Sequence, residues 1–503
     1  MNYRLIYKIG FTALVPLSCY FLSSCTQEKK PNVIFILADD LGYSDLGCYG
    51  STFYETPNLD RLALQGVCFS NAYAACPVSS PTRAAILTGK YPVKSGITDW
   101  IPGRQASNNG SPNDKLIALP FNLKLDPGEV TIAEVLKQNG YTTMISGKWH
   151  LGEDPIYWPE HQGFDVNCGG CGLGAPVRNK TANGYFSPYG NPRLKDGPKG
   201  EYLTDRLTDE AIKFIEKNRK KPFFLYLSYY AVHNPMQAKE EHIRKFQTKA
   251  DSTGLSKTEP FTRDRDWIRP DMSNNYRERI IQSNPVYAAM IYSMDENIGR
   301  LLKKIEELGL ADNTVIFFTS DNGGLSTAEG SPTCNAPLRA GKGWLYEGGI
   351  RVPLIIKYPG KSKPGTWIRT PVSSIDFFPT ILDMCGIKCT NKEIDGVSLI
   401  HLFEKDEMPE RPIFWHYPHY SNQGGDPGSA IRLGKYKLID NFEKARVELY
   451  DLENDISEQN DVSALYPEKT KELYNLLDEW RKLHSVKMML PNPKWKNNKT
   501  DNL

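Results

Sequence analysis

The sequence predicts an α/β protein with a mostly parallel β-sheet sandwiched by helices, and a smaller C-terminal subdomain of antiparallel sheet plus helix. The first observation is that apolar segments alternate with amphipathic helical segments over most of the chain. The second is a change beyond about residue 405, where hairpin-like strands precede a single helix. The third is length, because 503 residues suggest a large domain plus a smaller one.

Four apolar segments are predicted as buried strands, at residues 32–37, 141–145, 222–227 and 314–318. Amphipathic patterns between them predict helices, for example at 131–138, 207–217 and 287–308. Because strands and helices alternate in this order, the strands are expected to lie mostly parallel, with helices on both faces of the sheet.

The C-terminal region is predicted to be a small sheet with a helix packed on it. Residues 430–439 and 447–450 have the pattern of hairpin strands, and 468–484 has that of a helix. One face of this helix carries Leu473, Leu476, Leu477, Trp480 and Leu483. The predicted organisation is therefore a signal peptide at 1–24, a tether at 25–31, a large α/β domain at 32–404 and a C-terminal subdomain at 405–503.

Polar, reactive side chains follow each of the four predicted strands. They are Asp39 and Asp40 after the first, Lys148 and His150 after the second, His233 after the third, and Asp321 and Asn322 after the fourth. In open α/β sheets, ligands bind outside the carboxyl ends of the strands. We therefore expect these side chains to meet in one crevice.

The N-terminus has the pattern of a secretory signal. Arg4 and Lys8 precede an apolar stretch at 9–22, and the sequence LSSC follows at 22–25. This resembles a bacterial lipoprotein cleavage box, which would leave Cys25 as the lipid-bearing first residue; the alternative is a plain signal peptide with a chance cysteine. The protein is predicted to be exported and held at the membrane by its lipid alone. A net charge of +2 with no basic block argues against nucleic acid as a partner.

The remaining cysteines give no metal site. Cys168 and Cys171 have the spacing of half a zinc site, but no second pair completes it. Cys385 and Cys389 are close enough in sequence for a local disulfide, which export would permit.

The segment CPVSSPTRAAILTG at 76–89 combines an anion site with candidate nucleophiles. Pro81 and Gly89 predict a short helix at 82–88, whose N-terminus attracts anions. Arg83 adds a positive charge there. Cys76, Ser79 and Ser80 are the possible nucleophiles.

This segment resembles the signature of the type I, formylglycine-dependent sulfatases of the alkaline phosphatase superfamily. Counting from Ser79, the signature residues Pro81, Thr82, Arg83, Leu87, Thr88 and Gly89 all lie at the right offsets. Counting from Cys76 puts Val78 where proline belongs, and counting from Ser80 puts Arg83 one place early. The resemblance thus selects Ser79 for conversion to formylglycine and makes Cys76 a buried spectator.

Further motifs extend the resemblance over nearly the whole chain. Asp39, Asp40, Asp321 and Asn322 match the family's ligands to one divalent cation, usually Ca²⁺, with the modified Ser79 as a further ligand. Three carboxylates and an amide are hard oxygen donors that suit calcium or magnesium better than zinc. Lys148 and His150 match the Gly-Lys-x-His element, His233 the His-x-Pro element, and Lys342 the catalytic lysine segment at 339–351.

The resemblance implies an alkaline-phosphatase-like fold and sulfate-ester hydrolysis by the formylglycine hydrate. Arg83 would orient the hydrate, and Asp321 and His150 would assist its two hydroxyls. Lys148 and Lys342 would hold the sulfate oxygens, and His233 with Lys342 would act on the leaving alcohol. A serine at this position implies maturation by a serine-type formylglycine-generating enzyme before export.

The predicted substrate is a sulfated carbohydrate cut at a terminal sugar, with galactose or N-acetylgalactosamine sulfates as first choice. Long loops at 98–130, 165–200 and 250–280 can wall a pocket, although no serine in 165–175 matches one that some family members place on a sulfate oxygen. The segment at 415–424 brings His416, His419 and amides; either histidine contacts sugar hydroxyls, or both belong to a structural aromatic cluster. The alternatives are a two-zinc phosphatase or phosphodiesterase of the same superfamily, and an inactive glycan-binding lipoprotein.

Overall fold

The computed structural model describes residues 29–104, 114–265, 267–268, 277–404 and 408–495. The predicted signal peptide and the lipid site at Cys25 lie outside these residues, so both stay predictions. Among the described helices, none has the length and apolar character needed to cross a bilayer.

The described helices are short to medium in length, and their bounds follow in chain order. They are α1 (Pro57–Gln65), α2 (Ser79–Thr88), α3 (Pro92–Ser95), α4 (Ile132–Gln138), α5 (Leu203–Asn218), α6 (Glu240–Ser252), α7 (Pro285–Glu307), α8 (Glu347–Ile350), α9 (Phe377–Met384), α10 (Ile400–Glu404) and α11 (Pro467–Leu483).

The described strands include several of only two residues. They are β1 (Asn32–Ala38), β2 (Val67–Phe69), β3 (Ala72–Tyr73), β4 (Leu116–Ile117), β5 (Thr142–Gly147), β6 (Val166–Cys168), β7 (Phe223–Ser228), β8 (Phe261–Thr262), β9 (Glu278–Arg279), β10 (Thr314–Ser320), β11 (Leu354–Lys357), β12 (Thr366–Ile368), β13 (Val372–Ser373), β14 (Ile413–Tyr417), β15 (Gly428–Leu433), β16 (Tyr436–Asn441), β17 (Arg446–Asp451) and β18 (Leu490–Pro491).

The central sheet has eight strands in the order β12-β2-β11-β10-β1-β7-β5-β6. The five strands from β10 to β6 are parallel, whereas β11 pairs antiparallel with both β10 and β2. Strand β1 is buried over its whole length because helices cover both faces of the sheet. The predicted mixed, mostly parallel sheet is confirmed.

The four predicted strands are β1, β5, β7 and β10, each with its end shifted by one or two residues. All four are neighbours in the sheet and run in the same direction. Their carboxyl ends therefore lie along one edge, which is the arrangement that brings the polar residues after them together.

The C-terminal strands β14–β17 form a separate antiparallel sheet, and α11 packs on it through Leu473, Leu477 and Trp480. Leu483, predicted on the same face, is 78% exposed. That prediction was wrong because α11 ends at Leu483, so this side chain lies at the helix terminus rather than over the sheet.

A buried ion cluster joins the C-terminal sheet to the loop that carries Lys342. Lys437 on β16 lies 3.0 Å from Glu347 and 2.8 Å from Glu458, and all three side chains are inaccessible to solvent. Glu347 begins α8, five residues after Lys342. A buried cation between two carboxylates fixes orientation, because breaking it would leave an uncompensated charge.

The cysteines of the described residues are all free thiols, including Cys385 and Cys389. The possible disulfide between these two is therefore not formed. Cys385 packs instead in the core between the sheet and α9.

Candidate active site

The first two acidic residues follow β1 on a sharply turned backbone. The Asp39 amide donates to the Ala231 carbonyl at 2.9 Å, which ties the end of β1 to the segment after β7. Asp40 has φ of 63°, a left-handed conformation that is uncommon outside glycine. This turn sets successive carboxylates toward the same crevice instead of opposite faces of a strand.

Asp321 and Asn322 follow β10, directly beside β1. The carboxylates of Asp39, Asp40 and Asp321 are buried and have oxygens within 4.8 Å of one another. The side-chain N–H of Asn322 donates to Asp40 at 2.9 Å, and the side-chain oxygen Oδ1 of Asn322 lies 3.4 Å from Ser79 Oγ. The structure thus brings together the four predicted metal ligands and the predicted nucleophile.

This donor set fits a hard divalent cation. All of its ligand atoms are carboxylate or amide oxygens, and no histidine or cysteine belongs to the cluster in the described part of the chain. Three buried carboxylates this close together repel one another unless positive charge lies between them. Asp39, Asp40, Asp321 and Asn322 are therefore the residues that would hold Ca²⁺.

Three buried cations face these carboxylates. Lys148 lies 2.7 Å from Asp39, Lys342 lies 2.8 Å from Asp40, and Arg83 binds Asp321 through Nε at 2.9 Å and Nη2 at 2.7 Å. Three positive side chains balance three negative ones, so a bound divalent cation would leave the site with excess positive charge. Such a site suits an anionic ester whose negative charge grows in the transition state.

The charges of these groups depend strongly on one another. Burial, together with the charges of Asp321 and Asp40, raises the pKa of Asp39. The pKa of Asp40 is lowered instead, because the charges of Lys342 and His233 outweigh the effect of its burial. Burial lowers the pKa of Lys148, and Asp39 opposes that effect. The net effect of Asp321 and Asp39 is to raise the pKa of Arg83, so it remains a fixed cation in spite of burial.

Ser79 is the first residue of α2, which begins three residues before the predicted start. Its hydroxyl lies 3.4 Å from Asp39 Oδ1, at a helix N-terminus whose dipole favours anions. Ser80 and Cys76 are also buried, and Cys76 belongs to the apolar cluster that includes Tyr73 and Trp415. Of the three candidate nucleophiles, only Ser79 contacts the predicted metal ligands.

His150 is held in one tautomer by two neighbours. Its Nε2 contacts the Ile101 carbonyl, which can only accept, so Nε2 carries the proton. Nδ1 lies 3.3 Å from the Ser80 hydroxyl and keeps the lone pair. Burial and the charge of Lys148 lower the pKa of His150 well below its ordinary value, so the ring stays neutral.

His233 and Lys342 enter from opposite loops around Asp40. His233 Nε2 lies 3.7 Å from Asp40 Oδ2, and its Nδ1 donates to the Asn234 carbonyl at 2.8 Å. Burial and Lys342 lower the pKa of His233 to about 3. The backbone next to Lys342 is tied to the nucleophile segment, because the Gly343 amide donates to the Pro77 carbonyl at 2.8 Å.

A cavity of about 320 Å³ opens above these residues. Its walls include the predicted loops at 98–130 and 165–200 and part of the C-terminal subdomain, whereas no described residue of the predicted loop at 250–280 lines it. The lining residues are Ser79, Trp100, Ile101, Pro102, His150, Glu153, Gly172, Leu173, Gly174, Ala175, His233, Glu329, Lys342, Asn422 and Gln423. This volume accommodates a small ring with one acidic substituent.

The sequence analysis missed Trp100, Glu153 and Glu329 as cavity residues. Trp100 and Glu153 lie in loops with no recognisable motif, and the sequence around Glu329 has only the pattern of an exposed turn. The only signal was the unusual length of the loop at 98–130, which is typical of functional loops.

His416 and His419 do not line this cavity. His416 bonds Ser429 Oγ at 2.7 Å and the Lys487 carbonyl at 3.1 Å, while His419 bonds Thr98 Oγ1 at 2.9 Å and packs against Phe121. Both side chains are buried, so they belong to the structural aromatic cluster that was the alternative. From the same segment, Asn422 and Gln423 reach the cavity instead.

Asp99 supports the loop that carries Trp100 and has an acidic group in an apolar setting. Burial raises its pKa to about 7, even though the Trp100 amide and the Tyr417 hydroxyl both donate to Oδ1 at 2.9 Å. Between the unfolded pKa of about 3.9 and the folded value, the folded state binds more protons than the unfolded state. The free energy of unfolding therefore falls as the pH rises through this range.

Asp99→Asn should remove this pH-dependent cost. Because both bonds end on Oδ1, the amide oxygen can accept them, and the variant should gain up to about 4 kcal/mol relative to the native protein between pH 4 and pH 8. Denaturant unfolding of both proteins at pH 5 and pH 8 measures the difference. The exposed control Asp312→Asn should show no such change, and an equal response of the two variants would contradict the expectation.

Comparison with known proteins agrees with this geometry. A family model for sulfatases matches residues 31–387, and one for the C-terminal part of N-sulphoglucosamine sulphohydrolase matches 340–486. The N-acetylgalactosamine-6-sulfatase of Mus musculus is 32% identical over 449 residues, which cover 84% of this chain and 74% of that protein.

Two solved structures extend the likeness to the fold. Ps i-CgsB in complex with k-i-k-neocarrahexaose superposes with a TM-score of 0.71 at 31% identity, covering 91% of this chain and 98% of the other. A protein in complex with its substrate D-glucosamine-2-N,6-O-disulfate gives 0.66 at 26% identity, covering 93% and 100%.

The fold and the site together define an enzyme with the α/β fold of the alkaline-phosphatase-like class. The chain belongs to the sulfatase family and is a sulfuric ester hydrolase.

Proposed function

We propose that this sulfatase removes sulfate from a terminal sugar of a sulfated carbohydrate, with galactose or N-acetylgalactosamine sulfates as the first candidates. The observation that carries the proposal is the position of Ser79, at the floor of a sugar-sized cavity and among the acidic cluster and its cations. The relative named N-acetylgalactosamine-6-sulfatase supports the choice of sugar.

We propose further that Ser79 is oxidised to formylglycine and that Asp39, Asp40, Asp321 and Asn322, with the modified residue, hold one Ca²⁺. The hydrated aldehyde would supply two hydroxyls on one carbon, where serine has only one, and the cation would supply a Lewis acid. The oxygen-only ligand set supports this cation, and the helix N-terminus at Ser79 supports binding of the anionic ester.

Fixed positive charge would bind and orient the sulfate. Lys148 and Lys342 are the cations beside the acidic cluster, and Lys342 also lines the cavity. Arg83 is fully buried and bonded to Asp321, Ser228 and the Lys148 carbonyl, so its role is to orient residue 79 and Asp321. Because these groups are already in place, they need no reorganisation as charge develops on the sulfate.

Two histidines line the cavity. His150 lines the same cavity as Ser79 and presents a neutral ring, with its Nδ1 lone pair at the hydroxyl of the adjacent Ser80; it would serve the second hydroxyl of residue 79. His233 lines the cavity with Lys342, and these two side chains together would protonate or stabilise the leaving alcohol. Asp321 is the carboxylate that would accept the proton of the attacking hydroxyl.

We propose that the enzyme is exported and lipid-anchored through Cys25 in a bacterial cell envelope. The support is the basic, apolar and LSSC pattern at 1–25, which precedes the described residues. Maturation of Ser79 would then require a serine-type formylglycine-generating enzyme before export.

A panel of defined sulfated mono- and oligosaccharides should identify the substrate. We expect release of sulfate from a monosaccharide or a non-reducing-end sugar, with kcat/KM at least about tenfold above that for a small aryl sulfate, because sugar contacts add binding energy in the transition state. Ion chromatography of released sulfate measures it. Turnover of aryl sulfates without any sugar would contradict the carbohydrate proposal, and no turnover at all would favour an inactive glycan-binding protein.

A further inference from the structure

Two carboxylates stand at the mouth of the cavity, and together they are called the acidic rim: Glu153 and Glu329. Both line the same cavity as Ser79, His233 and Lys342. Within the described residues, neither carboxylate pairs with a lysine, arginine or histidine side chain. Unpaired carboxylates around a pocket for an anion weaken the binding of that anion. Their presence therefore indicates a second role, in contacting another part of the substrate.

Two hydrogen bonds fix the position of Glu329. Its Oε1 accepts from Gln423 Nε2, and its backbone carbonyl accepts from Asn234 at 3.1 Å, next to His233. Gln423 is itself fixed, because Ser421 Oγ donates to its Oε1 at 2.7 Å. The second carboxylate oxygen, Oε2, accepts no hydrogen bond from the described residues and remains available to a ligand.

Glu329 also shares the electrostatics of the catalytic floor. Burial alone would lower the pKa of Lys342, but Asp40 and then Glu329 raise it. The carboxylate is therefore close enough to Lys342 for a sulfate bound there to feel its charge. A second anionic group on the same ring would meet this negative rim, whereas a hydroxyl could donate a charge-assisted hydrogen bond to it.

We infer that Glu329, with Glu153, accepts hydrogen bonds from the hydroxyls of the sugar ring and rejects a second sulfate or carboxylate on that ring. The inference rests on the proposed function, since it concerns the sugar that the same cavity binds. It makes the enzyme selective for sugars that carry a single sulfate. Specificity arises from both effects, an attraction for the correct ring and a repulsion of the wrong one.

The test compares N-acetylgalactosamine-6-sulfate with N-acetylgalactosamine-4,6-disulfate, and uses p-nitrophenyl sulfate as a reference for the chemical step. In the mature native enzyme the singly sulfated sugar should have at least about tenfold higher kcat/KM than the disulfated one, on the scale of a like-charge contact. Glu329→Gln should shrink this ratio by about tenfold, mainly through KM; because the ratio compares two sugars on the same variant, any general change in the chemical step cancels. Glu153→Gln should act in the same direction, and the exposed Glu241→Gln should leave every ratio unchanged.

The outcomes separate this inference from the proposed function. An unchanged ratio in Glu329→Gln overturns the inference and leaves the carbohydrate sulfatase standing. A native enzyme that prefers the disulfated sugar also overturns the inference alone. Turnover of p-nitrophenyl sulfate without turnover of any sulfated sugar overturns both.

Discussion

Ser79→Ala should abolish sulfate-ester turnover, with a loss of roughly 10⁴-fold or more in kcat. The variant cannot form an aldehyde, and the other candidate nucleophiles do not contact the acidic cluster: Cys76 packs with Tyr73 and Trp415, and Ser80 bonds His150. Initial rates on p-nitrophenyl sulfate measure the loss. Peptide mass spectrometry of active native protein should show residue 79 two hydrogens lighter than serine, or as the hydrate.

Two variants control this result. Cys76→Ala removes the other tempting nucleophile and should keep activity, at a packing cost of about 1 kcal/mol. Ser79→Cys should become active in a host that matures only cysteine, where the native protein should stay inactive. Full activity of Ser79→Ala would remove the basis for a nucleophile at this position.

The grouping of the candidate site residues was predictable from the sequence because these residues lie in short motifs at strand ends. Asp39, Lys148, His233 and Asp321 each follow a strongly apolar strand, and neighbouring parallel strands bring their ends to one edge. The local spacing around residues 79–89 distinguished one serine from its neighbours. In each case the sequence carried both the element and the side chain.

The substrate end of the cavity was not predictable in the same way. Glu329 reaches the cavity only through long-range contacts to Gln423 and Asn234, which no local pattern encodes. Histidine is a residue type that often contacts sugars, but both ring nitrogens of His416 hydrogen-bond to other groups, Ser429 and the Lys487 carbonyl. Side chains on loops depend on which partners the rest of the fold brings to them.

The edge of the sheet shows the same limit. Strands β2, β11 and β12 have three or four residues each and follow no long apolar run, so length and alternation gave too little signal for them. They form because β10 offers an unpaired edge beside which β11 lies antiparallel. Tertiary pairing, not local propensity, defines these strands.

Asp321→Asn should remove calcium dependence together with activity. In the native protein, Ca²⁺ at a hundredfold excess over its Kd should add about 2.7 kcal/mol to the free energy of unfolding, because it binds only the folded cluster. The variant keeps the shape of Asp321 but loses one of the three clustered negative charges, and it weakens the ion pair with Arg83. We expect its melting temperature to become insensitive to both EDTA and Ca²⁺, as measured by calorimetry.

Asp99→Asn is the matched control, since it makes the same change at a buried aspartate that is not part of the cluster. It should retain the calcium-dependent rise in melting temperature. Elemental analysis of the native enzyme should find one calcium per chain. Two zinc ions per chain would contradict the single-calcium proposal and revive the phosphatase alternative. Zinc is not expected, because the cluster in the described residues offers carboxylate oxygens and no histidine or cysteine.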